Sequence, residues 1–199
     1  MGEPDYCAGV VNAEESHESG RIGAFAAKRF LDGTARLQVP WNGYENAGTT
    51  TIRRPDGSKK KFDLRGYFTT EPHKGHTVYI ESKHCSSDHG LKAEFEAFLV
   101  DAYCGHLTAD EPRHFMFVTW NPFSAGKWSD LMSFDYVDSV LKASEPFKDK
   151  DLDPTDLLKF CDRLWLLVVS DAQIEHLIPE ADVMGEIARF MTNREASKS

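Results

Sequence analysis

The spacing of apolar residues along residues 14–31 is that of a helix. Ile22, Phe25, Ala26 and Phe30 recur three or four positions apart, which predicts an amphipathic helix with one apolar face. Asp32-Gly33 then ends the pattern. After this point the period changes, and residues 35–85 have the shorter, alternating pattern that is typical of strands.

Four short extended runs follow the first helix. We predict strands at residues 35–41, 49–54, 59–68 and 76–85. Pro55-Asp56-Gly57-Ser58 is a turn sequence between the second and third runs, which predicts a β-hairpin. In the fourth run Val78 and Ile80 face one way, whereas Tyr79, Glu81 and Lys83 face the other, because side chains alternate along a strand.

The second half of the chain alternates helices with strands. Residues 90–104 carry an apolar stripe that predicts a helix, and two mostly apolar runs, 114–120 and 164–170, predict covered strands. Residues 129–143 and 181–193 are predicted helices, and the charged stretch 148–156 is a predicted loop. Consecutive strands followed by crossover helices predict an α/β or α+β fold, with a mixed central sheet and helices on both faces.

Composition is that of one ordinary globular domain. The chain has 199 residues, of which 41% are hydrophobic and 28% charged, so we expect a single domain over residues 1–199. We find no apolar run of about 18 residues and no leader pattern, so no membrane partner is expected. The four cysteines have no CxxC pairing, which predicts reduced thiols and a cytoplasmic protein.

Charge is unevenly distributed along the chain. The net charge is −9, which argues against binding of nucleic acid by bulk attraction. Between residues 53 and 66, however, six basic residues stand against two aspartates. This stretch is either a phosphate-contacting edge or a solvated hairpin, and the pattern favours neither reading. The candidate nucleic-acid-binding residues are Arg53, Arg54, Lys59, Lys60, Lys61 and Arg65.

Two neighbouring strands carry charges that could form a reaction site. Asp63 lies inside one predicted strand, and Glu81 and Lys83 project from the same face of the next. Carboxylates supply the hard oxygen ligands that Mg²⁺ prefers, and a nearby ammonium can stabilise a phosphodiester transition state. The alternative from spacing alone is a cross-strand ion pair on a half-exposed face.

In this order of elements the sequence resembles the PD-(D/E)XK nuclease superfamily, over roughly residues 14–120 of a core expected at about 14–123. Seventeen residues lie between Asp63 and Glu81-Ser82-Lys83, and the two stand between a glutamate-bearing helix and a later helix and strand. The resemblance implies a restriction-endonuclease-like αβββαβ core, Asp63 and Glu81 as catalytic metal ligands, and Lys83 as catalytic lysine. Glu18, or less often Glu15, would add a third carboxylate. Phe62 stands where the motif has proline, and no subfamily is assigned.

The resemblance implies a function as well. We expect a Mg²⁺-dependent endonuclease in which Mn²⁺ can substitute, acting on DNA more often than RNA, in a restriction or antiviral defence setting. The alternative is a catalytically silent subunit with this fold that binds nucleic acid or protein. Either would act as a homodimer or within a larger complex, and residues 124–199 would complete the sheet and supply the partner surface.

Histidines offer a weaker metal site. His73, His76, His84, Cys85 and His89 are close in sequence and include the residue types that bind zinc. Their spacing matches no standard closed site, and neighbouring strand residues such as His84 and Cys85 point in opposite directions. The sequence therefore favours the carboxylate site.

Overall fold

The structure is a computed structural model that describes residues 13–85, 87–180, 182–187 and 189; the side chains of residues 13–17 lie outside this description. The strands are β1 (Leu37–Asn42), β2 (Thr51–Arg53), β3 (Lys59–Lys61), β4 (Leu64–Phe68), β5 (Thr77–Lys83), β6 (Arg113–Thr119) and β7 (Leu164–Val168). The helices are α1 (Ala13–Gly33), α2 (Leu91–Leu107), α3 (Phe134–Ala143), α4 (Pro154–Cys161) and α5 (Asp171–Leu177). A 3₁₀ helix spans Ala125–Asp130.

The main sheet has five strands in the order β1-β4-β5-β6-β7. β1, β4 and β5 are antiparallel neighbours, whereas β5, β6 and β7 are parallel. Antiparallel strands can be joined by short turns, but parallel neighbours need a crossover, and α2 supplies the one between β5 and β6. The predicted mixed sheet of the α/β class is confirmed.

Each face of the sheet has its own apolar core. Val78 and Ile80 of β5 pack with Met116 and Val118 of β6 against α1. Tyr79 lies in the other core, with Phe115 and Phe117 and the apolar stripe of α2. The predicted alternation along β5 is therefore confirmed, and helices flank the sheet on both faces.

The hairpin is a small sheet of its own. β2 and β3 pair with each other, and Arg54 and Ser58 close the turn through a backbone hydrogen bond of 2.8 Å. The predicted single strand 59–68 is wrong in one respect, because it is two strands, β3 in the hairpin and β4 in the main sheet. Phe62-Asp63 joins them: Phe62 N donates to Thr50 O at 3.0 Å, and Gly43 N donates to Asp63 O at 2.7 Å.

The segment after β6 departs most from expectation. The predicted loop 148–156 runs into α4, whose first turn is capped by Asp153, accepting from Thr155 N at 2.9 Å. The predicted helix 129–143 is shorter, because Ser133 caps a separate helix, α3. α5 was not predicted; its signal is the capping box of Ser170 and Gln173. The predicted helix 181–193 is helical at 182–187, and the rest lies largely outside the described residues.

Cysteine chemistry differs from the prediction at one position. Cys104 and Cys161 are free thiols, as expected. Cys85 is disulfide-bonded, so the prediction of a reduced thiol is wrong there. Cys7 lies outside the described residues. Among the described helices, none has the length and apolar character needed to cross a membrane.

Candidate active site

The three residues predicted to carry chemistry come together at one end of the β4–β5 pair. Glu81 and Lys83 project from the same face of β5. Asp63 immediately precedes β4, where Leu64 lies opposite Ile80, so continuing the register puts Asp63 beside Glu81. Asp63 Oδ2 accepts a hydrogen bond of 2.9 Å from Ser82 N, which fixes the carboxylate against β5.

Ion pairs link these residues to two further elements. Lys83 Nζ lies 3.3 Å from Glu81 Oε1 and 3.0 Å from Glu94 Oε2 of α2. Lys60 Nζ of β3 lies 3.3 Å from Glu81 Oε2 and 3.6 Å from Asp101 Oδ2 of α2. Glu81 is thus held by two ammonium groups, each of which is itself held by a carboxylate of α2.

Burial and neighbouring charges change the pKa of Asp63 and of Lys83. Burial and the negative charge of Glu81 raise the pKa of Asp63 to about 7, although Ser82 N, Lys83 and Lys60 oppose the shift. Burial by itself would lower the pKa of Lys83, but Glu81 and Glu94 raise it above its ordinary value. Lys83 is therefore a permanent cation at neutral pH, whereas Asp63 is poised to exchange a proton.

Glu81 has an unsatisfied oxygen. Its Oε2 is buried and accepts no hydrogen bond from the described residues, although Lys60 Nζ is near it. An oxygen with an ion-pair partner but no hydrogen bond keeps lone pairs that a bound water or cation can use.

A cavity of about 330 Å³ opens beside the carboxylates. Asp63, Lys83 and Glu94 line it, together with Tyr44, whose pKa is raised to about 12 by burial and by the charges of Asp63 and Glu81. Helix α1 forms the opposite wall through Ser19 and Gly20. The other lining residues are Ser82, His84, Cys85, His89 and Gly90.

Two glycines let α1 approach this cavity closely. A Cβ added at Gly20 would lie 2.8 Å from Tyr44 Oη, and one added at Gly23 would lie 2.6 Å from His84 Cβ. The Tyr44 hydroxyl is the far end of a side chain and can move, but His84 Cβ is attached to the backbone. Gly23 therefore fixes the distance between α1 and the end of β5.

We expect Gly23→Ala to lower the free energy of unfolding by about 1 kcal/mol, because a clash costing about 1–3 kcal/mol outweighs the helix propensity gained. Gly185→Ala is the matched control, since Gly185 is helical with open space around it. Urea denaturation of both variants measures the difference. A Gly23→Ala protein as stable as Gly185→Ala would contradict the close approach of α1.

The predicted third carboxylate is engaged elsewhere on α1. Glu18 forms a bidentate ion pair with Arg21, at 2.6 and 2.8 Å, and its side chain is 52% exposed. Among the described residues that line the cavity, α1 contributes Ser19 and Gly20 and not Glu18. The side chain of Glu15 lies outside the described residues.

The basic stretch divides into two groups. Arg54 donates to Asp101 at 2.8 Å, Lys60 pairs with Glu81, and Arg65 is stacked between aromatic rings, with its guanidinium 5.2 Å from the Trp41 ring centre. These three serve the protein's own packing. The three side chains that remain exposed are Arg53, Lys59 and Lys61.

The histidines also fall into two groups at different places in the fold. His84, Cys85 and His89 line the cavity beside the carboxylates. His73 and His76 lie instead near the start of β5, where they meet His114 of β6. The sequence did not indicate His114, because it is 38 residues beyond His76 and β6–β5 pairing brings the two together.

Lys60, Glu94 and Tyr44 are site residues that the sequence did not assign to the carboxylates. No local signal marks Lys60, because a continuous run of strand-forming residues conceals the break between β3 and β4 that brings Lys60 over Glu81. Glu94 lies in the first turn of α2, three positions after Leu91, and becomes recognisable only when α2 is placed on the face of Glu81. In comparisons with known proteins, no family model matches the chain, and no curated protein matches it significantly.

Proposed function

We propose that this protein is a Mg²⁺-dependent nuclease that hydrolyses phosphodiester bonds at Asp63, Glu81 and Lys83. The observation that carries the proposal is the cluster of Asp63, Glu81 and Lys83, in which Asp63 and Lys83 line a cavity, Glu81 is buried behind them, and the pKa of Asp63 is raised to about 7. Strongly perturbed groups in a cleft are typical of functional sites. A simple structural ion pair would not need a second carboxylate placed against the first.

The side chains fit a hard divalent cation. Asp63 and Glu81 offer carboxylate oxygens, and Glu81 Oε2 accepts no hydrogen bond from the described residues. The linked set contains four carboxylates and three cationic side chains, which are Asp63, Glu81, Glu94 and Asp101 with Arg54, Lys60 and Lys83. Its surplus of negative charge would favour Mg²⁺, and Mn²⁺ would suit the same oxygen ligands.

Each residue has a distinct role in this proposal. A bound Mg²⁺ would supply an acidic water and positive charge beside the phosphate. Asp63 and Glu81 would hold the ion. Lys83, fixed between Glu81 and Glu94, would orient the attacking water and offset charge that develops on the phosphate in the transition state. Lys60 would position Glu81, because its ammonium is held between Glu81 and Asp101.

The order of elements supports a restriction-endonuclease-like core. Without the β2–β3 hairpin, the main elements run α1, β1, β4, β5, α2 and β6, which is the αβββαβ order of the PD-(D/E)XK superfamily. Asp63 then stands just before the second strand of the core, and Glu81 and Lys83 stand on the third. This agreement of order and residues is the reason for extending the proposal from a metal site to a nuclease.

The substrate proposed is DNA, cleaved internally, in a restriction or defence setting; these points follow from the family resemblance. Arg53, Lys59 and Lys61 are exposed on the hairpin and are the candidates for phosphate contacts. With a net charge of −9, the protein would need a second copy or a partner subunit to hold a duplex firmly.

Cleavage of supercoiled plasmid and of single-stranded oligonucleotides, with Mg²⁺, Mn²⁺ or EDTA, tests the proposal. We expect metal-dependent cleavage that falls at least about 100-fold in Glu81→Ala and Lys83→Ala. Lys142→Ala is the control, because Lys142 pairs with Asp138 on α3 and neither residue lines the cavity. Cleavage retained in Glu81→Ala would contradict the site. No cleavage by any folded form would favour the catalytically silent scaffold.

A further inference from the structure

Three histidines meet on the sheet face opposite to Glu81. His73 and His76 lie in the turn between β4 and β5, and His114 is the second residue of β6. One ring nitrogen of each lies within 4.8 Å of the others. His114 alternates with Met116 and Val118, which pack against α1, whereas Glu81 faces α2. It also lies three residues along β6 from the partner of Glu81, about 10 Å at the rise of a strand.

We propose that His73, His76 and His114 bind a transition-metal ion of the Zn²⁺ class, at a site separate from the carboxylates. His76 Nδ1 and His114 Nε2 are 3.2 Å apart. Two nitrogens bound to one tetrahedral Zn²⁺ are about 3.4 Å apart, given a Zn–N distance of about 2.0–2.1 Å. The two rings therefore need almost no movement to share an ion.

The surroundings suit a site of this kind. His114 is buried, with its ring centre 4.6 Å from that of His73 and 5.4 Å from that of His76, so the three rings already stand together at one place. His73 and His76 are half-buried, so an ion can enter from solvent and keep water as its fourth ligand. Imidazole ligands favour Zn²⁺ and its neighbours over Mg²⁺.

A hydrogen bond from Trp165 determines which ring nitrogen of His114 carries the proton. Trp165 Nε1 donates to His114 Nδ1 at 3.1 Å, so His114 carries its proton on Nε2 and donates it to His76 Nδ1. Binding through Nε2 requires this proton to move to Nδ1, which breaks the bond from Trp165. The indole therefore opposes metal binding, and removing its N–H should strengthen it.

The ion would join the turn after β4 to the start of β6. His76 N also donates to His73 O at 2.8 Å, so the turn already holds both ligands on one side. A site that exists only in the folded protein stabilises it when the metal binds. The proposal does not rest on nuclease activity, because it uses neither the carboxylates nor the cavity beside them.

Titration with Zn²⁺, and with Co²⁺ followed by its visible absorption, tests the site in protein without a histidine tag. A Glu81→Gln background removes binding at the carboxylates. We expect one ion per chain, affinity at least about 10-fold weaker in His73→Ala and in His76→Ala, and a thermal midpoint raised by Zn²⁺. His176→Ala is the control, because His176 is exposed on α5. Trp165→Phe should bind more tightly.

Affinity unchanged in both His73→Ala and His76→Ala would overturn the proposal, as would more than one weak ion lost equally in every variant. Binding weakened or unchanged by Trp165→Phe, in a protein with the wild-type circular dichroism spectrum, would overturn His114 Nε2 as the third ligand and with it the three-histidine site. If Trp165→Phe does not fold, the metal affinities of His73→Ala and His76→Ala alone test the proposal.

Discussion

Replacing Asp63 by asparagine should abolish Mg²⁺-dependent cleavage and at the same time stabilise the protein at pH 8. The asparagine side chain keeps an oxygen that can accept the hydrogen bond from Ser82 N, which is 2.9 Å long in the wild type, but it removes the negative charge placed beside Glu81. A metal site needs this charge, whereas the fold without metal is destabilised by it. Opposite effects on activity and stability are typical of residues retained for function.

The stability gain should depend on pH in a defined way. Below the unfolded pKa of about 3.9, Asp63 is protonated in both the folded and the unfolded protein, so the substitution changes little. Because burial and Glu81 raise the folded pKa to about 7, wild-type stability falls relative to Asp63→Asn between pH 4 and pH 7. Above pH 7 the difference is constant, on the order of 4 kcal/mol, since each pH unit between about 3.9 and 7 contributes about 1.4 kcal/mol.

Urea denaturation with EDTA at pH 4.5 and pH 8, on the wild type and Asp63→Asn, measures this difference. Asp151→Asn is the matched control, because Asp151 is exposed and its substitution also removes one negative charge. An Asp63→Asn protein that is less stable than wild type at pH 8 would show that Asp63 is a net stabilising ion-pair partner. The inference that the charge of Asp63 beside Glu81 destabilises the folded protein would then be wrong.

The local pattern of the sequence was sufficient to predict the helices and strands around Glu81. The alternation of β5, the turn sequence of the hairpin and the apolar stripe of α2 each depend on neighbours a few residues apart. They predicted the mixed sheet, and they brought Glu81 and Lys83 to one face. Asp63 joined them because two successive strands pair antiparallel, which is the simplest connection.

Contacts between distant segments could not be predicted in this way. Lys60 reaches Glu81 only because the chain leaves the hairpin at Phe62 and changes sheets, and a continuous run of strand-forming residues conceals that step. His114 meets His76 through the parallel pairing of β5 and β6, whose register depends on the whole crossover. The helices after β6 were misplaced where caps, such as Asp153 and Ser133, decide the boundaries of short helices.

Where the proposed superfamily has proline, core packing gives a reason for the phenylalanine at position 62. Its side chain is fully buried, with ring centres 5.5 Å from Tyr79, 6.0 Å from Phe115 and 6.4 Å from Phe98. Lys60 Nζ lies 5.5 Å from the centre of the Phe62 ring. The residue before the first carboxylate therefore anchors the end of the hairpin in the core between the sheet and α2.

Placing a proline at position 62 should consequently destabilise the protein. We expect Phe62→Ala to lower the free energy of unfolding by about 3–5 kcal/mol, as for other buried phenylalanines. Phe62→Pro should cost about 1 kcal/mol more, because Phe62 N donates to Thr50 O and proline has no such donor. Phe62→Leu, which keeps most of the apolar volume, should cost about 1–2 kcal/mol. Urea denaturation of the three variants measures the series.

The order of these losses separates two explanations of the residue. If Phe62 serves mainly as core, stability falls from leucine to alanine to proline, and Phe134→Ala, a partly buried ring on α3, costs less than Phe62→Ala. If position 62 instead serves the geometry of Asp63, the proline variant should keep its stability and cleave at least as well as wild type. That second outcome would contradict the core packing described for Phe62, because removing a buried ring from contact with three aromatic neighbours lowers the free energy of unfolding.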